Sequence, residues 1–192
     1  MTPTLIVVAG PNGSGKTTFA TTYQTENGGV FLSADQIADD LRDAGDPVSD
    51  VEAGRRFFAE LGHLLEEGQS LIVESTIAGR GITKHVDRAR SLGYQTSIVL
   101  IFLESADVCV ARVEERVRKG GHRVPEEDIR RRYPRSIKHF WDLHRRSFHR
   151  WHLFYNSGSQ FAAVAAGVGS ETSVLDDALL AQFQDIVQGV SE

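Results

Sequence analysis

The chain has 192 residues, 41% hydrophobic and 24% charged, with 18 Gly, one Cys and a formal net charge of -5. That size and balance fit a single domain over residues 1–192 and exclude a disordered chain, and one cysteine excludes an intramolecular disulfide or a cysteine metal cluster. The opening residues carry no basic region and no run reaches the ~18 apolar residues that cross a bilayer, so a soluble cytoplasmic protein with no membrane partner is expected.

The first strand is expected over residues 5–9, a β-branched apolar run. Directly after it stands Gly10-Pro11-Asn12-Gly13-Ser14-Gly15-Lys16-Thr17-Thr18, which fits G-x-x-x-x-G-K-[ST] ahead of a helix over 17–24. Glycines let backbone N–H groups face a phosphate, the helix aims its positive end there, and the lysine brings an ammonium to the outer phosphates. Gly10, Asn12, Gly13, Ser14, Gly15, Lys16, Thr17 and Thr18 are thus expected to bind ATP or GTP, with the Thr17 hydroxyl on Mg²⁺.

A second strand over 30–32 leads into Ser33-Ala34-Asp35, and a third over 71–73 leads into Glu74-Ser75-Thr76. C-terminal ends of parallel strands face the ligand, so either carboxylate can accept the proton of a substrate hydroxyl or hold Mg²⁺ through water. Asp35 can instead be the N-cap of a short helix over 36–41, a place that Ser33 can also fill. The acidic stretch 39–50 reads as a solvated loop. A helix over 51–67 carries Phe57, Phe58, Leu61, Leu64 and Leu65 before Gly68, and another over 82–92 stops at Gly93.

A fourth strand over 97–103 feeds a helix over 106–119 that stops at Gly120-Gly121. The next helix starts at Pro125, with Glu126, Glu127 and Asp128 suited to its positive end and a kink or break expected near Pro134. A fifth strand over 151–155, a short edge strand over 160–166 and an amphipathic helix over 173–187 complete the chain. Alternation of strands and helices implies an α/β domain with a mainly parallel sheet.

Charge is uneven: residues 112–150 hold thirteen Lys/Arg against six Asp/Glu. A basic segment in an acidic protein points to an anionic ligand, with a solvated Arg-rich face as the alternative. Helix, glycine hinge, basic loop and second helix describe a lid over about 116–135, with Arg116, Arg123 and Arg132 as candidates to contact nucleotide phosphates. The histidines show no metal-ligand spacing. Phe140, Trp141 and Phe148 read as core rather than a base-stacking stripe, which disfavours nucleic acid as partner.

Together the phosphate loop, Leu32-Ser33-Ala34-Asp35-Gln36-Ile37-Ala38, Val73-Glu74-Ser75-Thr76, Ala111-Arg112-Val113-Glu114-Glu115-Arg116-Val117, Gly120-Gly121-His122-Arg123-Val124-Pro125 and Arg131-Arg132-Tyr133 resemble the zeta-toxin family of P-loop kinases, in its short, chromosomally encoded branch. The resemblance runs from Leu5 to about Ser157. It implies a P-loop kinase-like three-layer sandwich with a five-stranded mainly parallel sheet and a basic lid, ATP as donor, and a small-molecule acceptor. In the best-known members the acceptor is the sugar 3′-hydroxyl of UDP-N-acetylglucosamine. An antitoxin partner comes with the same resemblance.

Carried over, Lys16 is the phosphate-loop lysine, Thr17 the magnesium residue and Asp35 the general base, while Glu74 and Thr76 touch substrate. Arg116 and Arg123 fall where phosphate-clamping arginines lie. The larger toxins place an arginine two residues after Glu-x-Thr; here Ala78 stands there and Arg80 is the nearest substitute. Short members often carry Asn-Ala-Asp and Asp-Asn-Ser where this chain has Ser33-Ala34-Asp35 and Tyr155-Asn156-Ser157. Arg55 is similar to a family position facing the substrate cleft, and a surface charge explains it as well. The leading expectation is an ATP-dependent phosphotransferase acting on an alcohol group of a nucleotide sugar. The alternatives are a kinase for another small hydroxyl compound and an ATP-binding module acting through a protein or nucleic-acid partner.

Overall fold

Side chains alternate across a strand, and that alternation sets the layers. In β1 (Thr4–Ala9) Leu5, Val7 and Ala9 join one buried cluster while Ile6 and Val8 join another on the opposite face. The computed structural model describes residues 2–43, 49–156, 158, 160–169 and 171–189. It follows β1 with α1 (Lys16–Asn27), β2 (Val30–Ser33), α2 (Ala34–Asp43), α3 (Asp50–Glu66), β3 (Leu71–Ser75), α4 (Thr83–Ser91) and β4 (Gln95–Phe102). Then come α5 (Ala106–Arg118), α6 (Glu126–Asp142), a 3-10 turn (His144–Arg146), β5 (Arg150–Asn156), β6 (Phe161–Val168), β7 (Glu171–Val174) and α7 (Asp177–Gly189).

The sheet runs β2-β3-β1-β4-β5-β6-β7, with the first five strands parallel and the last two antiparallel. The protein thus has a P-loop kinase-like α/β fold, with seven strands among the described residues rather than five. The difference lies at the C-terminal end. Phe161–Val168 is no edge strand, because Glu171–Val174 pairs outside it. The closing helix accordingly starts at Asp177 and not at 173, where Asp176 Oδ1 accepts the Leu179 amide at 2.9 Å and fixes the first turn.

Two other expectations change. Helix α6 runs unbroken through Pro134, since Ile129, Tyr133, Ser136, Ile137 and Phe140 bury one continuous face and the Tyr133 hydroxyl donates to Leu103 O at 2.8 Å. Tertiary burial there outweighs the lost backbone bond at proline. The acidic stretch is helical as far as Asp43; its residues 44–48, like Ser157, lie outside the described residues. Phe140 and Phe148 are core residues, and Trp141 packs between Trp151, Phe183 and the Arg145 guanidinium, 3.9 Å from its ring centre. No described helix is long and apolar enough to cross a membrane.

Candidate active site

Parallel pairing brings Ala9, Ser33 and Ser75 to one edge of the sheet, with Glu74 in register with Ser33 and Val8. The phosphate loop starts from that edge. Gly10 has φ 146°, and a Cβ there would overlap the Ile101 carbonyl and lie 2.7 Å from Ser14 Oγ. Only glycine allows this turn against β4. Gly15 has φ 95°, and a Cβ there would come within 2.6 Å of Asn156 Nδ2. No side chain caps α1, so its free amides face the loop. Asn12 Oδ1 and Ser14 Oγ are buried without a partner among the described residues.

Lys16 is 6% exposed; its ammonium donates to Pro11 O at 2.9 Å and stands 3.8 Å from Glu74 Oε1. The Thr17 hydroxyl donates to Glu74 Oε2 at 2.8 Å. Two hard oxygen donors from different elements therefore converge beside the lysine, a donor set that suits Mg²⁺. Beneath the loop the Cys109 thiol is pushed up to about 12 by burial, partly offset by the Lys16 and Arg112 charges, which leaves it unreactive.

A cavity of about 520 Å³ opens from Asn12 and Lys16 across Glu74, Ser75 and Thr76 to Asp35, His122, Arg123 and Arg132. Its other wall is apolar, built by Ala38 from α2 and by Ala53, Phe57 and Phe58 from α3. Asp35 sits inside the first turn of α2, which begins at Ala34, so it does not occupy the N-cap place. Its carboxylate faces the cavity from the helix end that favours negative charge.

The predicted residues do not all gather. Gly10, Gly13, Ser14 and Gly15 form the loop, and Lys16, Asp35, Glu74, Thr76, Arg123 and Arg132 line the cavity. Thr17 reaches it through Glu74, and Thr18 O accepts hydroxyl bonds from Thr21 and Thr22. Arg116 stands outside the lining: its guanidinium donates to His122 O at 2.8 Å and braces the turn at Gly120-Gly121. Arg80 is also absent from the lining, as the chain passes Ala78 and Gly79 before reaching it. Arg55 points to solvent, with a side chain 77% exposed and 4.0 Å from Glu52. Arg132 shares Asp128 with Arg131, and Arg130 bridges Asp107 and Glu126, so much of the basic charge is balanced locally.

Two residues that the sequence reading quoted within its motifs but gave no role in the site lock the loop. Asn156, buried at the end of β5, donates to Ser14 O at 2.8 Å and accepts the Gly158 amide at 2.9 Å. Arg112 donates to Asn156 O at 3.1 Å. A polar residue closing an apolar strand was the available signal for Asn156. Arg112 offered only its charge.

Known proteins share this architecture. The crystal structure of AvrRxo1-ORF1:-ORF2 with ATP superposes with TM-score 0.75 at 18% identity over 99% of this chain, and the chain spans 65% of that protein's length. The PezAT chromosomal toxin-antitoxin system of Streptococcus pneumoniae superposes with TM-score 0.64 at 17% identity, covering 100% of this chain and 80% of that one. A protein of Haemophilus influenzae without an assigned function is 26% identical over 128 residues, which is 67% of this chain and 91% of that relative. The profile of the AAA domain family AAA_33 matches residues 5–133, from β1 through the phosphate loop and the acidic strand ends to Tyr133, and the chain belongs to that family.

Proposed function

We propose that the protein is an ATP-dependent kinase that transfers the γ-phosphoryl group to a hydroxyl of a small metabolite, with a nucleotide sugar as the first candidate. The observation that carries this reading is the cavity joining the phosphate-loop lysine to the Asp35 carboxylate, large enough for a second substrate. The loop amides and Lys16 hold the ATP phosphates. Thr17 and Glu74 would hold Mg²⁺, which would supply charge neutralisation on the phosphates. Asp35 takes the proton of the acceptor hydroxyl as its oxygen forms the new bond to the γ-phosphorus and ADP leaves. Arg123 and Arg132 face the charge that develops, while Thr76 and the Phe57–Phe58 wall hold the acceptor.

The lid in this reading is shorter than residues 116–135. Ile129 and Tyr133 are 1% and 7% exposed, so α6 belongs to the body and the movable part is the loop 119–125. A partner protein of antitoxin type is part of the proposal, supported by the PezAT toxin-antitoxin likeness. ATP as donor supports a cytoplasmic location.

The test is transfer from γ-labelled ATP by wild type and Asp35→Asn across a panel of nucleotide sugars that includes UDP-N-acetylglucosamine. Wild type should form a labelled sugar phosphate, and Asp35→Asn should lose about 10²–10⁴ in kcat with its ATP affinity unchanged. Tight ATP binding with no labelled acceptor and no effect of Asp35→Asn would instead favour a nucleotide-binding module.

A further inference from the structure

Immediately after the Glu74-Ser75-Thr76 strand end, Ile77 has φ 47°, the one positive φ at a non-glycine position among the described residues. A β-branched residue avoids that region, so something must hold it there. Three contacts do. The Ile77 side chain is 2% exposed in the main core, its amide donates to Ser75 Oγ at 3.1 Å, and its carbonyl accepts from His139 Nδ1 at 3.1 Å. His139 lies on α6, 62 residues further along the chain.

The turn has a visible product. With Ile77 directed into the core, its neighbours Thr76 and Ala78 both face the cavity, followed by Gly79. Strand alternation alone would put Gly79 on the core side with Ile77; the positive φ at Ile77 ends the extended run, so that Gly79 lines the cavity together with Thr76 and Ala78. His139 is also seven residues after Arg132 on the same helix, which puts both on one face. One rigid element therefore carries a cation into the cavity and pins the turn that forms the cavity's floor. Behind it the ring of His144 is fully buried, edge-on to His139 with centroids 6.3 Å apart, so water does not reach the bond from that side.

We propose that His139 is a positioning residue for the phosphoryl acceptor: its Nδ1–H holds the Ile77 carbonyl and thereby the strained turn that presents Thr76 and Ala78. This rests on the kinase reading of the same cavity. His139 touches no reacting atom and does not contact the phosphate loop, so its effect falls on the acceptor side that Thr76 and Ala78 form rather than on the nucleotide held by Lys16 and the loop.

The experiment compares wild type, His139→Leu and His139→Asn, whose amide nitrogen can take the place of Nδ1, using Mg-ATP and UDP-N-acetylglucosamine. His139→Leu should raise the acceptor KM about tenfold to a hundredfold while the ATP KM stays within about twofold, and His139→Asn should recover most of the loss. An unchanged acceptor KM, or equal rises for both substrates, would overturn the proposal. Amide hydrogen exchange at residues 77–79 reads the same turn without any turnover: it should quicken in His139→Leu and return towards wild type in His139→Asn, and equal protection in all three proteins would also overturn it. Wild type that transfers nothing to any acceptor counts against the kinase reading alone, because exchange still decides the role of His139. If His139→Leu does not fold, His139→Ala takes its place in both measurements, and unchanged protection at residues 77–79 in that protein refutes the proposal.

Discussion

The phosphate loop and the far wall sit on the same cavity, yet they are built in opposite ways. The loop is nine consecutive residues whose shape is forced by local conformation, with Gly10 and Gly15 at positive φ and hardly any space for another side chain. The wall is assembled from α2, α3, the end of β3, the loop 119–125 and α6, and each contributes one to a few residues. Local shape survives as a sequence motif. Shape produced by packing leaves almost no trace until the chain has folded.

The largest effect expected from this contrast is at the loop. Gly10→Ala forces a left-handed position and an overlap with the Ile101 carbonyl, so it should cost about 3 kcal/mol or more and abolish ATP binding, checked by urea unfolding and nucleotide titration. Intact binding in Gly10→Ala would break the idea that the loop permits one conformation only.

Acid should loosen the packing behind α6, where His144 meets His139. His144 is held down to about 4 by burial, with the nearby His139 adding to the effect, so as pH falls from about 6.5 the unfolded chain takes up the proton before the folded one. Stability is therefore full above that range and declines towards pH 4, by on the order of 2–3 kcal/mol from this group. His85, which stacks on the cavity residue Phe58, is lowered by burial in the same direction. His144→Phe should flatten the pH dependence of the urea midpoint, and an unaltered slope would show that the acid sensitivity lies elsewhere.

Asn156→Ala removes one buried and one part-buried hydrogen bond at the rear of the loop and should cost about 1–3 kcal/mol, with ATP affinity weakened in parallel. Smallest in stability is Arg123→Ala, within about 0.5 kcal/mol, because its guanidinium serves the cavity and not the fold. Its kcat should nevertheless fall about tenfold to a hundredfold, read in steady-state kinetics. A stability loss without a kinetic change would move Arg123 to the group that includes Arg116.

Legibility follows the same divide. Strands β1 to β5, the loop and the acids at the ends of β2 and β3 are visible in the sequence, since apolar runs and strand-end polarity are short-range signals. Arg116 and Arg123 look alike there, both basic and both beside the glycine pair. Only the folded turn separates them, by giving Arg116 the His122 carbonyl and leaving Arg123 in the cavity. A run of charges suggests a solvated flap over 116–135, and burial of Ile129 and Tyr133 against the core is something the charges do not display. β7 was hidden by polar residues of moderate strand preference, Glu171, Thr172 and Ser173, that pair only because β6 offers an edge. His139 resembles any histidine on an amphipathic helix, and its partner is a backbone atom, which no sequence displays.

The strand beyond β5 also bears on timing. Phe161 closes against Gly15 and stacks edge-on to Phe19 at 5.5 Å, so the nucleotide loop near the start of the chain is completed by a strand made about 146 residues later. At ~5–20 residues per second, that interval on the ribosome is roughly 7 to 30 s. Through that time the growing chain holds the motif without the Phe161 contact behind Gly15, so the loop reaches its final support only after β6 has been made.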